Sequence, residues 1–282
     1  MSPEPLSSLL GRTFDPVAVS WDSKDTMLYA CGVGAKPEAE LEFLFEGKGP
    51  KVLPTYGVIP GMMAMGALMG SGVEINPMMI LHGEQGITLH REIPSDCKAQ
   101  VTGRVSEVWD KEKAAVIGVE GAAEDDNGPL FTTKATLFVR GAGGFGGERG
   151  PSTAGRNAPP EREPDHVVHD DTRPEQAAIY RLSGDRNPLH IDPDFAKMAG
   201  YEEPFIHGLC TYGFVGRAML HALCGGDPAR FGSLDARFAD QVYPGDTIIT
   251  KIWVIGDGEA IVQAETQKGN AVLSQARATF TA

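Results

Sequence analysis

The chain has 282 residues, enough for one large or two medium domains. Hydrophobic residues make up 41% of it and charged residues 22%, a globular balance. The net charge of -13 argues against a general binder of nucleic acid or anionic membrane, and leaves room for an anionic small ligand held on a local basic patch.

Four cysteines, Cys31, Cys97, Cys210 and Cys224, form no CxxC pair and read as free thiols of a reducing compartment, not as a zinc site. The amino terminus lacks the basic start and apolar run of a secretion signal, and Phe280-Thr281-Ala282 is not a Ser-Lys-Leu-like peroxisomal address. The expectation is a cytoplasmic protein.

In chain order, an entry segment leads through Val17-Ala-Val-Ser20 into a short helix over Trp21–Ala35 that ends in a glycine-rich turn. Glu40–Phe45 reads as turn and strand. Val52–Val73 carries no charge, but Pro54, Pro60 and five glycines argue for a buried, closely packed helix over Pro54–Met69 instead of a membrane span. Strands are expected at Leu81–Glu92, Ala99–Asp110, Ala114–Ala123 and Leu130–Arg140, with Asp125-Asp-Asn-Gly128 as a turn.

Residues 141–164 are rich in Gly, Pro and charge and read as a linker between two halves, 1–140 and 165–282. The Gly cluster lacks a following Gly-Lys-Ser/Thr and opens no helix, so it is not a phosphate loop.

The second half replays the first. It begins with a helical stretch over Asp170–Tyr180, then a turn, a short helix over Pro193–Ala199 and a longer one from His207-Gly208 to Leu223. Strands follow at Ser233–Gln241, Thr247–Ile255, Ala260–Lys268 and Ala271–Thr281. Tyr29 and Gly57 stand 28 positions apart, as do Tyr180 and Gly208. Two modules of one architecture follow, each a helix packed on an antiparallel sheet, an α+β arrangement.

The copies differ at the turn. The second has Gly184-Asp-Arg-Asn-Pro-Leu-His190, where the first has Gly32-Val-Gly-Ala-Lys-Pro37 without carboxylate or imidazole. Asn187-Pro188 favours a rigid bend that can fold Asp185 and His190 toward one water molecule. A carboxylate and an imidazole suit acid–base work near neutral pH. A copy that keeps the frame and lacks the pair is what a single site leaves behind, with room for a large substrate.

The run Tyr180-Arg-Leu-Ser-Gly-Asp-Arg-Asn-Pro-Leu-His190, with Pro204-Phe-Ile-His-Gly208 and Val242-Tyr-Pro-Gly245, resembles the hydratase 2, or MaoC-like, family of enoyl-CoA hydratases. The first half, through Leu53-Pro-Thr-Tyr-Gly57 and Leu81-His-Gly-Glu-Gln85, is similar to the partner domain of the two-domain members. The resemblance covers nearly the whole chain. It implies a double hot dog fold, a homodimer, and R-specific hydration of trans-2-enoyl-CoA to (3R)-3-hydroxyacyl-CoA with no metal or redox cofactor.

The resemblance also implies that Asp185 and His190 activate water, that Asn187 assists, and that the Gly208 amide is the oxyanion donor. Substrate contacts carried over the same way are His82, Gly83, Lys111, Arg186, Pro188, Leu189 and Phe238. Which of Asp185 and His190 is the base stays open.

Physical reasoning supports the Gly208 assignment. A helix-start N–H is unpaired and lies at the positive end of the dipole, and an oxyanion donor of this kind is worth about 3–4 kcal/mol. Lys48, Lys51, Arg217 and Arg237 are candidates for the CoA phosphates. His207 is expected to pack or cap, and His166 and His169 to be exposed. Other readings are a dehydratase acting on carrier-protein or specialised thioesters, a thioesterase and an acyl-CoA binding module. The thioesterase would want a carboxylate on the helix after Gly208, and Gly208–Leu223 has none.

Overall fold

Asp22 and Asp25 start the first helix by exchanging side-chain and backbone hydrogen bonds, a reciprocal cap for α1 (Ser23–Gly32) in this computed structural model, which describes residues 5–281. The reading of the amino terminus rests partly on residues 1–4, and that of the carboxy terminus on Ala282. These lie outside the described residues.

Before α1 lies β1 (Val17–Trp21), and after it the short α2 (Pro37–Glu40). A helical turn over Pro54–Gly57 then feeds α3 (Val58–Met69). Four strands follow: β2 (Ile80–Leu89), β3 (Cys97–Asp110), β4 (Ala114–Asp125) and β5 (Gly128–Arg140). The second half repeats this order with β6 (His166–Asp171), α4 (Gln176–Tyr180), α5 (Pro193–Met198), α6 (Gly208–Cys224), β7 (Phe231–Phe238), β8 (Thr247–Gly256), β9 (Glu259–Thr266) and β10 (Ala271–Phe280).

Among the described residues ten strands form one antiparallel sheet in the order β1-β3-β4-β5-β2-β7-β10-β9-β8-β6. Each half supplies five strands in the same internal order, and the halves meet where β2 pairs with β7. Within that pairing Gln85 faces Ala236. These two residues stand in the same repeat register as Tyr29 with Tyr180 and Gly57 with Gly208, so the pseudo-twofold axis of the duplication passes through them. Tyr29 and Tyr180, both fully buried, also meet across it with ring centroids 6.0 Å apart.

The helices pack on this sheet through small residues. A Cβ added to Gly103 would lie 3.2 Å from the Ala64 backbone of α3, and one added to Gly121 3.0 Å from the Ala64 side chain. That close approach is what the glycines near the uncharged helix serve. α6 packs on β7, β8 and β10 and is buried along 14 of its 17 residues, while Gly216 lets Thr55 of the first half press against its backbone. Gly225, with φ 64°, ends α6 in the left-handed region, and the Gly226 N–H closes onto Leu220 O. Among the described residues no helix is long and apolar enough to cross a membrane.

Three expectations change. Residues 170–180 are not one helix: Asp170 and Asp171 end the edge strand β6, paired with β8, and the helix spans only Gln176–Tyr180. The β-branched Val167-Val168 pair and Pro174 account for the break. Glu40–Phe45 holds helical turns and no strand. Arg217 is neither a phosphate ligand nor solvated. It is buried, donates to Glu40 at 2.7 Å and to Val33 O at 3.0 Å, and pairs with Asp170, while His221 reaches Glu40 at 2.7 Å. This ion network ties α6 to α2 of the first half.

The Gly-rich segment is ordered by a carboxylate of the protein itself. Asp110 accepts N–H bonds from Gly144 and Gly146, both at 2.8 Å. Successive backbone amides make an anion cradle here, and its anion is internal.

Candidate active site

The turn after α4 is built by its own side chains. Asp185 Oδ1 accepts the Asn187 N–H at 3.1 Å, and Asn187 Oδ1 accepts the Leu189 N–H at 3.1 Å. Pro188 opens the helical turn Pro188–His190, its fixed φ suited to that place. Gly184, at φ 150°, lets the turn lie against α3, where a Cβ would meet Ile59 at 3.3 Å. The sequence after Tyr180 therefore folds back on itself and delivers His190 to the interior.

His190 is 9% exposed, and its Nδ1 lies 2.8 Å from Phe205 O. A carbonyl only accepts, so Nδ1 carries the hydrogen and Nε2 keeps its lone pair. His207, 1% exposed, places Nε2 3.0 Å from the backbone O of Asp185, so here Nε2 carries the hydrogen. The two imidazoles stack with centroids 3.9 Å apart and planes 30° from parallel. One side-chain ligand atom from each of Asp185, His190 and His207 lies within 4.8 Å of the others.

Burial, only partly offset by the Phe205 carbonyl and the Asp185 charge, holds His190 below its ordinary pKa. Burial and the neighbouring His190 push His207 down to about 4. Both rings are therefore neutral near pH 7.

Gly208 is the first residue of α6, so its N–H has no acceptor within the helix. The Phe238 ring, at the end of β7, covers it: a Cβ on Gly208 would lie 3.2 Å from ring carbons Cδ1 and Cε1. His82 of β2 packs edge-on against Phe238 with centroids 5.2 Å apart. Burial drives His82 down to about 4 against the pull of the Glu84 backbone and the Asp185 charge, and its Nε2 has no partner among the described residues. The bulge between His82 and Glu84 turns β2 locally at Gly83.

The sequence-predicted residues thus divide. Asp185, His190, Gly208, Phe238, His82 and Gly83 gather about the meeting line of the halves. Asn187 spends its side-chain oxygen on the turn. Pro188, Leu189 and Arg186 shape the bend, with the Arg186 carbonyl facing Arg181 at 3.5 Å. Lys111 stands apart on the β3–β4 turn, its ammonium on Pro151 O at 3.4 Å. Lys48 and Lys51 are exposed, and Arg237 leans on Thr153 at 3.0 Å. Sequence reasoning passed over His207 as a member of the cluster. Its place directly before Gly208 was the available signal.

Residues 156–276 match the MaoC like domain, and residues 19–141 match the MFE-2 hydratase 2 N-terminal domain. The 3-hydroxyacyl-thioester dehydratase Y of Mycobacterium tuberculosis is 44% identical over 91% of this chain and 90% of its own length. The peroxisomal enoyl-CoA hydratase 2 of Arabidopsis thaliana is 36% identical over 88% and 86%. A crystal structure of a MaoC-like dehydratase from Phytophthora capsici superposes with TM-score 0.87 at 32% identity, covering 99% of this chain and 98% of that one. A Mycobacterium tuberculosis structure described as a double hotdog fold shares the fold at TM-score 0.60 and 13% identity. With both halves matched in order and relatives of this identity spanning nearly its full length, the chain belongs to the MaoC-like hydratase 2 family of enzymes and has its double hot dog fold.

Proposed function

We propose that the protein adds water reversibly to trans-2-enoyl-CoA, giving the (3R)-3-hydroxyacyl-CoA. The observation that carries this reading is the pairing of a neutral His190, with a free Nε2 lone pair beside the Asp185 carboxylate, with an unspent helix-start N–H at Gly208.

Hydration of an α,β-unsaturated thioester needs water aimed at C3 and a donor for the thioester oxygen. His190 Nε2 takes a proton from a water that Asp185 also holds. The water oxygen bonds to C3, and the π electrons move to the thioester oxygen as an enolate. Gly208 N–H meets that charge at the positive end of α6. The enolate then collapses as C2 receives a proton through the same Asp185/His190 pair. OH and H arrive from one face, one water is consumed and the residues return to their starting forms. Asn187 acts through the turn it caps, holding the pair in register.

In this reading His82, Gly83, Phe238 and the 186–189 turn border the acyl thioester, and Lys111 is assigned to the CoA tail. The reaction uses no metal or redox cofactor, so dialysis against a chelator leaves turnover unchanged. A bulky acyl chain fits the reading, because α3 is apolar and carries Met62 and Met65. Methionine side chains repack readily around irregular ligands. A homodimer in the cytoplasm completes the proposal, tested by light scattering and cell fractionation.

The decisive experiment follows loss of enoyl-thioester absorbance over a chain-length series, with chiral analysis of the product and D185A and H190A as controls. A wild-type protein inactive on every enoyl-CoA, or controls as active as wild type, would overturn the reading.

A further inference from the structure

His207 is buried in the cluster, yet the hydration gives it no step. Its surroundings are specific. One edge of the ring donates Nε2–H to the main chain of Asp185 at 3.0 Å. One face covers His190 at 3.9 Å, and Tyr180 lies 5.0 Å away, centroid to centroid. Nδ1 is buried and without a partner among the described residues. His207 makes no side-chain cap for α6, so helix capping does not explain it.

An orphaned buried nitrogen is a cost that a leucine or phenylalanine of similar size would avoid. The Nε2 contact is what the polar ring gains in return. That contact falls on the residue whose carboxylate must point at the water, and the ring face falls on the residue that must take the proton. The His207 ring is fixed in turn by the helix that carries Gly208. One side chain therefore joins all three reacting groups: it bonds Asp185, stacks on His190 and adjoins Gly208 in the chain.

We propose that His207 is a positioning residue for the hydration, its Nε2–H anchoring the Asp185 main chain while its neutral face seats the His190 ring. This inference rests on the hydration reading above. The role requires a neutral ring, because a proton on His207 would set a cation against His190 just as His190 takes up its own. The titratable and charged groups about His207 are His190, Asp185, Arg181 and Tyr180. Burial and His190 favour the neutral form, and so does Arg181. Asp185 opposes it.

Three variants separate the parts. H207L removes donor and ring, H207F keeps a ring without a donor, and H207Q keeps an amide N–H near the Nε2 position without the ring. In the enoyl-CoA absorbance assay H207L is expected to lose kcat by about a hundredfold, the scale of a misplacement near 1 Å, with KM little changed. H207Q is expected to recover most of that loss and H207F little of it, since the hydrogen bond is the anchor.

H207L or H207F with wild-type kcat would overturn the inference, and so would H207Q as inactive as H207L. A wild-type enzyme that hydrates, with D185A inactive and H207L active, sinks only this inference. A wild-type enzyme that does not hydrate sinks the reading beneath it. Nitrogen-15 NMR of histidine in the wild-type protein needs no variant to fold. His207 is expected as the neutral Nε2–H tautomer at pH 6, and a protonated or Nδ1–H ring there would refute the role.

Discussion

Gly208→Ala leaves the proposed oxyanion donor in place, because alanine keeps the backbone N–H. What it adds is one methyl group on the crowded side of the helix start. That carbon would lie 3.2 Å from Cδ1 and from Cε1 of Phe238, inside the ordinary carbon contact of about 3.5–4.0 Å. Phe238 ends its strand and is half-buried, so its ring can retreat by a few tenths of an ångström. Overpacking costs about 1–3 kcal/mol, and a ring free to move on one side puts this case near the lower end. For a chain of this size, a loss of about 1 kcal/mol lowers Tm by roughly 2–4 °C.

Activity is expected to suffer more than stability. The methyl and the displaced ring occupy the approach to the N–H, and a shift near 1 Å costs about a hundredfold in kcat/KM. Steady-state hydration of an enoyl-CoA reads the first effect and thermal unfolding the second. The Tm loss of G208A/F238A should be smaller than the sum of the G208A and F238A losses, a coupling that distant sites would not show. Wild-type kcat/KM in a folded G208A protein would refute the placement of the thioester at this helix start.

Other expectations follow from buried charge. R217M strands Asp170 and leaves Glu40 with His221 as its remaining side-chain partner, the two carboxylates being 7% and 3% exposed, and should cost about 3–5 kcal/mol in urea unfolding; a loss under about 1 kcal/mol would show that the network is not a strut. His82 and His207 are held down to about 4, so both fold neutral while the unfolded chain takes protons near pH 6.5. Their stability is fully present above that pH and is lost as pH falls toward 4, by at most about 1.4 kcal/mol per unit for each group. Urea midpoints flat or rising from pH 6.5 to 5 would contradict this. His190 must be neutral to act as base, and its pKa is lowered, so kcat/KM should hold steady through pH 6.5 and fall only below it. An acid limb centred above pH 7 would point to another base.

What the sequence made legible was local or repetitive. The Asp185–His190 bend could be read because an Asn-Pro pair dictates its own turn, and the start of α6 because His207-Gly208 precedes a long apolar run. The repeat register could be read because Tyr29, Gly57, Tyr180 and Gly208 sit at matched spacing. What stayed hidden depends on the other half of the chain. Arg217 looks like any surface arginine until Glu40, 177 positions away, and Asp170 close around it. The strand at His166–Asp171 is too short to announce a period, and its pairing with β8 decides it. His207 had a bland explanation in packing, and only the fold brings the Asp185 carbonyl to its Nε2.

The duplication explains why one site lies where it does. A twofold pairing of equal modules would give two equivalent turns, one beside each central helix. In the first half, that turn is spent on packing: Gly34, at φ 80°, presses its backbone against Phe214 of α6, which leaves no room for a side chain there. The first half contributes otherwise. On its β2, His82 stands three residues before Gln85 and meets Phe238, two residues past Ala236, within the field of Asp185. One copy thus holds the polar pair and the helix start, while the other supplies the opposite wall. Neither half alone would enclose the Gly208 N–H, and the energetic dependence of each on the other is carried by the same layer, through Arg217 and the tyrosine contact on the axis. Separating the halves should therefore abolish the site even where the Asp185–His190 bend itself survives.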